Sequence, residues 1–185
     1  MRTSLFASII MISLFLVGNV MESHAGEAYL KIPDIPGESV AKGREGQLRV
    51  LNYSWGGEKT SGMTSMKGRT RAQSSQLKNL TIHMTIDQSF PKLAFALAAG
   101  RNLGEVTLEE VHPQTRKPIF EIKLRAARIS SIELGSEEQG PALVTVSFLY
   151  DRIEWIFTKL DRRTGEDKGK VQGYWDLKTN TGNQS

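Results

Sequence analysis

Apolar residues recur at every second position along this chain in short runs, a period that points to layered antiparallel sheet. Ile82, Met84 and Ile86 alternate with Thr81, His83, Thr85 and Asp87, and Phe120, Ile122 and Leu124 alternate with Glu121, Lys123 and Arg125. Val144, Val146, Phe148 and Tyr150 alternate with Thr145, Ser147 and Leu149, and the run continues through Ile153, Trp155 and Phe157. Each pattern turns one face inward and one outward. Residues 47–55, 105–111, 128–134 and 170–177 are further strands, 135–141 reads as a turn and 161–168 as a charged connection. One stretch breaks the rhythm. DQSFPKLAFALAAG, residues 87–100, has Ser89 as an N-cap, Pro91 in the first turn, strong helix formers from Leu93 to Leu97 and Gly100 at the C′ stop. The expectation is a mainly β protein of about seven or eight strands, an antiparallel barrel or sandwich with one α-helix packed against it.

The first residues stand apart from that fold. Arg2 precedes an almost continuously apolar run from Leu5 to Val20, and Ser23-His24-Ala25 offers a small-x-small cleavage site before Gly26. This is the layout of a secretory signal peptide over residues 1–25, without the flanks of a stable membrane anchor. No cysteine follows it, which excludes a lipoprotein anchor. Removal leaves 160 residues, 26–185, enough for one domain. That part keeps the net charge of +4, but acids are interspersed throughout, so the balance indicates a mildly basic protein and no nucleic-acid partner.

Catalytic and cofactor signatures are poor. His83 falls on the polar face of a strand and His112 in a His-Pro turn, and neither has an Asp or Ser placed locally to work with it. Two histidines 29 residues apart, without a carboxylate at ligand spacing and without any cysteine, make a poor metal site. There is no nucleophile elbow, P-loop or dinucleotide fingerprint, so no cofactor is expected. Glu109 and Glu110 are adjacent on a strand and point to opposite faces, which prevents a facing dyad. Glu137 and Glu138 sit in a turn, where solvation explains them. Tyr53, Trp55, Trp155, Tyr174 and Trp175 lie on strand patterns, where packing in a core or an interface accounts for them.

The interval WGGEKTSGMTSMKGRTRAQSSQ, residues 55–76, has neither helical nor strand period. Structureless connections of about twenty residues are uncommon inside compact domains and usually functional or disordered. Four bases (Lys59, Lys67, Arg69, Arg71) against Glu58 give it a local charge of +3, and Met63 and Met66 add adaptable apolar contacts. It cannot build a core of its own. It is either a solvated loop or a binding loop ordered by a partner.

The order of pieces then carries a resemblance. AYLKIPDIPGES, LRVLNYSWG, the long interval, a strand leading into DQSFPKLAFALAAGRNL, then VTLEEV, IELG, VSFLYDRIEW and the closing GYWDLKTN resemble the haemolysin-coregulated protein family, Hcp, over residues 28–180. The resemblance implies a single Hcp-like β-barrel domain with an extended loop after the second strand, and a homo-hexamer whose rings stack into the inner tube of the type VI secretion system. It implies a sheath, a spike and small effector proteins as partners, and a structural role instead of an enzymatic one. The loop residues Glu58, Lys59, Met63, Met66, Lys67, Arg69 and Arg71 would meet the next ring, with Glu109, Glu110, Glu137 and Glu138 as acceptor acids. Tube subunits of this kind assemble in the cytoplasm before secretion, whereas a cleaved leader sends the chain through the periplasm. A start at Met21, giving MESHAGEAYLKIPDI, satisfies the first route. A genuine leader favours an exported Hcp-like β-sandwich acting as a binding or adhesion module.

Overall fold

The computed structural model describes residues 26–59, 75–136, 140–161 and 163–185. These form thirteen strands and one helix: β1 Glu27–Lys31, β2 Leu48–Val50, β3 Asn52–Ser54, β4 Gly57–Lys59, β5 Ser75–Leu77, β6 Leu80–Thr85, α1 Phe90–Ala98, β7 Val106–Val111, β8 Pro118–Arg125, β9 Arg128–Gly135, β10 Leu143–Leu149, β11 Arg152–Leu160, β12 Asp167–Asp176 and β13 Thr181–Gln184. Every strand pairing is antiparallel. A seven-stranded sheet runs β13-β12-β11-β8-β7-β1-β2, a four-stranded sheet runs β3-β6-β10-β9, and β4-β5 make a small third ladder. The two large ladders remain separate, so of the two architectures the alternation allowed, this is the sandwich.

The chain changes sheet at short corners. Leu51 separates β2 from β3, Ala126 and Ala127 separate β8 from β9, and Tyr150 and Asp151 separate β10 from β11. Ala126 has a positive φ of 51°, and Ala127 exchanges backbone hydrogen bonds with Leu103 and Gly104 at 2.8 and 3.0 Å. Because side chains alternate, the core between the sheets is drawn from single faces: Ile82 and Met84 on β6, Ile122 and Leu124 on β8, Val144, Val146 and Phe148 on β10. Leu93 and Ala96 bring the helix onto the same core.

The helix ends where its sequence directs. Gly100, at φ 60°, donates to Leu97 O at 3.0 Å, and Arg101 donates to Ala96 O at 2.9 Å, the paired bonds of a Schellman stop. Its start differs from expectation. Ser89 occupies the N-cap but makes no side-chain cap bond; Asp87 Oδ1 instead accepts from the Ser89 amide at 2.9 Å and from its hydroxyl at 2.5 Å. The hydroxyl is turned back toward Asp87 because Ser89 is fully buried and needs that acceptor.

Strands β1 and β13 were not expected. On β1, Ala28, Tyr29 and Leu30 are consecutively buried, which hides the period; Tyr29 lies on the outer face but is covered by Arg116, whose guanidinium sits 5.9 Å from the ring centre. On β13 every residue is exposed, so no apolar period exists.

The β11–β12 turn is held by one carboxylate. Asp161 accepts from the amides of Arg163 and Thr164 at 2.8 and 2.9 Å and pairs with Lys168 Nζ at 2.5 Å. Lys168 and these amides hold its carboxyl down to about 2, from an ordinary 3.8. A depressed carboxyl stabilises the fold above its unfolded value and ceases to as pH falls through the folded one. The stability difference between wild type and Asp161→Ala is therefore expected to be constant above pH about 4 and to shrink between that value and about 2, as read from denaturant melts at a series of acidic pH values.

Candidate assembly surface

The long basic interval has a structured root. Gly57, Glu58 and Lys59 pair with Leu77, Gln76 and Ser75, so the flanks of what reads in sequence as a structureless loop close as a two-stranded ladder. Gly57 lies close to the partner strand: a Cβ there would stand 3.0 Å from Leu77 Cδ2. The Lys78 amide donates to Gly56 O at 2.8 Å. Below the ladder, Trp55 Nε1 donates to Tyr150 Oη at 2.8 Å, and Tyr150 Oη donates to Lys78 O at the same distance. One phenol thus ties both stems to the corner between β10 and β11. Burial pushes that phenol up, which keeps it protonated as the donor. Trp55 also packs against Trp155, with ring centres 4.9 Å apart.

Glu58 and Lys59 are exposed on β4, with Glu58 3.8 Å from Lys78 across the ladder. Met63, Met66, Lys67, Arg69 and Arg71 lie outside the described residues, as do Glu137 and Glu138 and the leader, residues 1–25.

Glu109 and Glu110 lie on β7 and diverge, as strand geometry requires. Glu109 Oε2 lies 2.6 Å from Arg44 Nε, a charge contact in which the N–H is not aimed at the oxygen. Glu110 Oε2 accepts from Tyr53 Oη at 2.6 Å, which joins β7 of the large sheet to β3 of the small one. Burial, and then the Glu110 carboxylate, push the Tyr53 phenol well above its ordinary value. Both acids therefore have partners within their own chain.

The histidines do not gather a reactive constellation. His83 Nδ1 lies 3.0 Å from Thr145 Oγ1. His112 Nδ1 accepts from the amides of Gln114 and Thr115 at 3.3 Å and so shapes the β7–β8 turn. Among the described residues no three His, Cys, Asp or Glu side chains come together as metal ligands.

The sequence missed a polar cluster on the outer face of the large sheet. Arg116 pairs with Glu27 and donates to Tyr29 Oη at 3.0 Å, and Tyr29 Oη donates to Glu27 Oε2 at 2.5 Å. The Tyr29 hydrogen bond, and then Arg116, hold the Glu27 carboxyl below its ordinary value. The three line a cleft of about 400 Å³ together with Glu38, Arg49 and Asp87. Arg116 is 87 positions from Tyr29, so only the pairing of β1 with β7 reveals the contact.

A family model described as "Type VI secretion system effector, Hcp" matches residues 29–157. No curated protein sequence matches the chain. Among solved structures, a type six secretion system protein is 23% identical, with 86% of this chain and 100% of that one covered and a TM-score of 0.75. Hcp1 from Salmonella typhimurium is 19% identical over 86% and 99%, with a TM-score of 0.71. A type VI secretion system effector from Yersinia pestis is 14% identical over 80% and 98%, with a TM-score of 0.66. At these identities the structures establish the fold.

The Glu110–Tyr53 bond makes a prediction that any test of Glu110 at an interface must respect. Glu110→Ala leaves a half-buried phenol without its acceptor and is expected to cost about 1–3 kcal/mol, read as a lower urea midpoint of the unassembled protein.

Proposed function

Because the chain belongs to the Hcp family of type VI secretion proteins, we propose that it is a structural subunit of the secretion tube and forms hexameric rings that stack head to tail. The observation that carries this reading is the extent of the family match. Residues 29–157 run from β1 into β11 and take in both sheets and the helix. A head-to-tail contact joins two different patches, so it closes into rings or runs on as a filament, and a tube needs both. The protein acts by assembly and carries no reaction of its own. Sheath, spike and small effector proteins are its partners in secretion.

Stacking falls to the basic interval. It stands on the root at Tyr150, its bases outnumber its acids by three, and Met63 and Met66 adapt to an uneven surface. Exposed ion pairs are worth only about 0–1 kcal/mol each, so stacking depends on their repetition around the ring and weakens with salt. Glu137 and Glu138 are acceptors; Glu109 and Glu110 serve only if they exchange Arg44 and Tyr53 for partners in the next ring.

The full chain is expected to sediment as a hexamer. Deleting residues 57–72 with a short Gly-Ser closure should preserve fold and ring while abolishing stacking and sheath-dependent secretion. A deleted protein that still stacks removes the interval from the mechanism.

Compartment follows from the start of the mature chain. We expect protein made in a bacterium to appear in the periplasm beginning at Gly26, by N-terminal sequencing. A chain beginning at Met21 would assign assembly to the cytoplasm, and a periplasmic monomer would favour an exported binding or adhesion module.

A further inference from the structure

The cleft over Tyr29 and Arg116 has walls that one chain supplies in full. One wall is the segment 37–41, folded back on residues 46 and 47: Gly37 donates to Gly46 O at 2.9 Å, Gly46 to Ser39 O at 2.8 Å, and Ser39 to Gln47 O at 3.1 Å. Gly37 permits this approach, since a Cβ there would lie 2.6 Å from Gln47 O. The other wall is Thr85, Ile86 and Asp87, at the end of β6. Gln88 joins the two: its side-chain amide donates to Gly37 O at 2.6 Å, and its backbone amide donates to Glu38 Oε1 at 3.1 Å. The space of about 400 Å³ is thus preformed, near the small end of the range for ligand sites.

The charged groups of the cleft divide into committed and uncommitted ones. The Glu27 carboxylate is taken by Arg116 and Tyr29. Arg49, exposed on β2 and paired in register with Tyr29, lines the same space. Arg44, Arg101, Arg116, Arg125 and Arg128 each face a carboxylate, but Arg49 makes no ion pair and no side-chain hydrogen bond among the described residues. Glu38 and Asp87 stand on opposite walls, and both adjoin Gln88. Each commits one oxygen, Glu38 Oε1 to the Gln88 amide and Asp87 Oδ1 to Ser89, so Glu38 Oε2 and Asp87 Oδ2 are left unbonded among the described residues. Neighbouring carboxylates favour a cation beside them. The two walls also carry apolar side chains into solvent, Val40 at 93% and Ile86 at 41% exposure.

We propose that this cleft binds a free α-amino acid with an apolar side chain. The three substituents of such a molecule match the three kinds of unfilled surface. Its carboxylate pairs with Arg49, its ammonium with Glu38 and Asp87, and its side chain lies between Val40 and Ile86. Charge balance selects the zwitterion. The cleft already holds three carboxylates and two guanidiniums, so a bare carboxylate would add to an acidic excess, whereas a zwitterion satisfies Arg49 and adds no net charge. Because the walls and floor belong to a single chain, the inference stands apart from the ring and stacking readings.

Calorimetric titration of the full chain with L-leucine, L-isoleucine, L-valine and L-methionine is expected to show saturable binding of one molecule per chain for at least one of them. For that amino acid, the C-terminal amide and the N-acetyl derivative each lack one charge and should bind at least about tenfold more weakly. Arg49→Gln and Val40→Asp, both at exposed positions, should weaken binding to a similar degree while leaving the circular dichroism spectrum unchanged. No saturable binding of any of the four at millimolar concentration overturns the site. An amide or N-acetyl derivative that binds as tightly as the free amino acid overturns the zwitterion, and unchanged binding to Arg49→Gln overturns the placement in this cleft.

Discussion

A four-stranded sheet cannot cover a seven-stranded one, and the rest of this structure is arranged around that mismatch. Where the sheets overlap, burial is complete: Leu30, Leu108, Leu124, Val146 and Phe148 are closed off from solvent. Past the overlap the same alternation continues without a cover, which leaves Phe157 and Val171 open. Apolar burial contributes about 25 cal/mol per Å², so the isolated chain forgoes stabilisation on that surface. The fold is in this sense complete as a core and incomplete as a surface, which is the condition expected of a subunit. The outer face of the same region is better finished. Glu121, nearly buried, lies between Lys123 at 3.7 Å and Lys170 at 3.5 Å, and Arg152 stacks over Tyr174 at 3.8 Å. Unsatisfied surface is thus concentrated on one side of β11 and β12.

The corners decide where functional pieces stand. The chain leaves the small sheet for the large one at Tyr150, and the hydroxyl of that residue anchors the root of the basic interval through Trp55 and Lys78. The same Trp55 rests on Trp155, the residue of β11 just before the uncovered part of the face. Root and overhang therefore share a small set of aromatic side chains.

Much of the fold was legible because alternation survives wherever one face of a strand meets the core. The runs on β6, β8, β10 and β11 read directly, and Gly100 marked the helix stop where a positive φ was needed. The failures have specific causes. Strand β1 has a covered outer face, so Tyr29 breaks its period, and β13 has no buried residue at all. The root ladder of the basic interval depends on backbone pairing across Gly57, which leaves no side-chain signal. Ion pairs between distant positions, such as Arg44 with Glu109 and Arg116 with Glu27, are invisible before the strands are placed. The acids on β7 illustrate the consequence: sequence identified their charge correctly, but their availability depended on partners 65 and 57 positions away.

Those engaged acids also limit which surfaces are free to meet a partner. Breaking the Glu110–Tyr53 bond to free a carboxylate would strand a half-buried phenol, a cost that exceeds the gain of one exposed ion pair, about 1–3 against 0–1 kcal/mol. A stacking surface built from Glu110 would therefore lose energy at each subunit, and symmetry would multiply that loss. Acids in exposed turns carry no such penalty, because solvent already satisfies them.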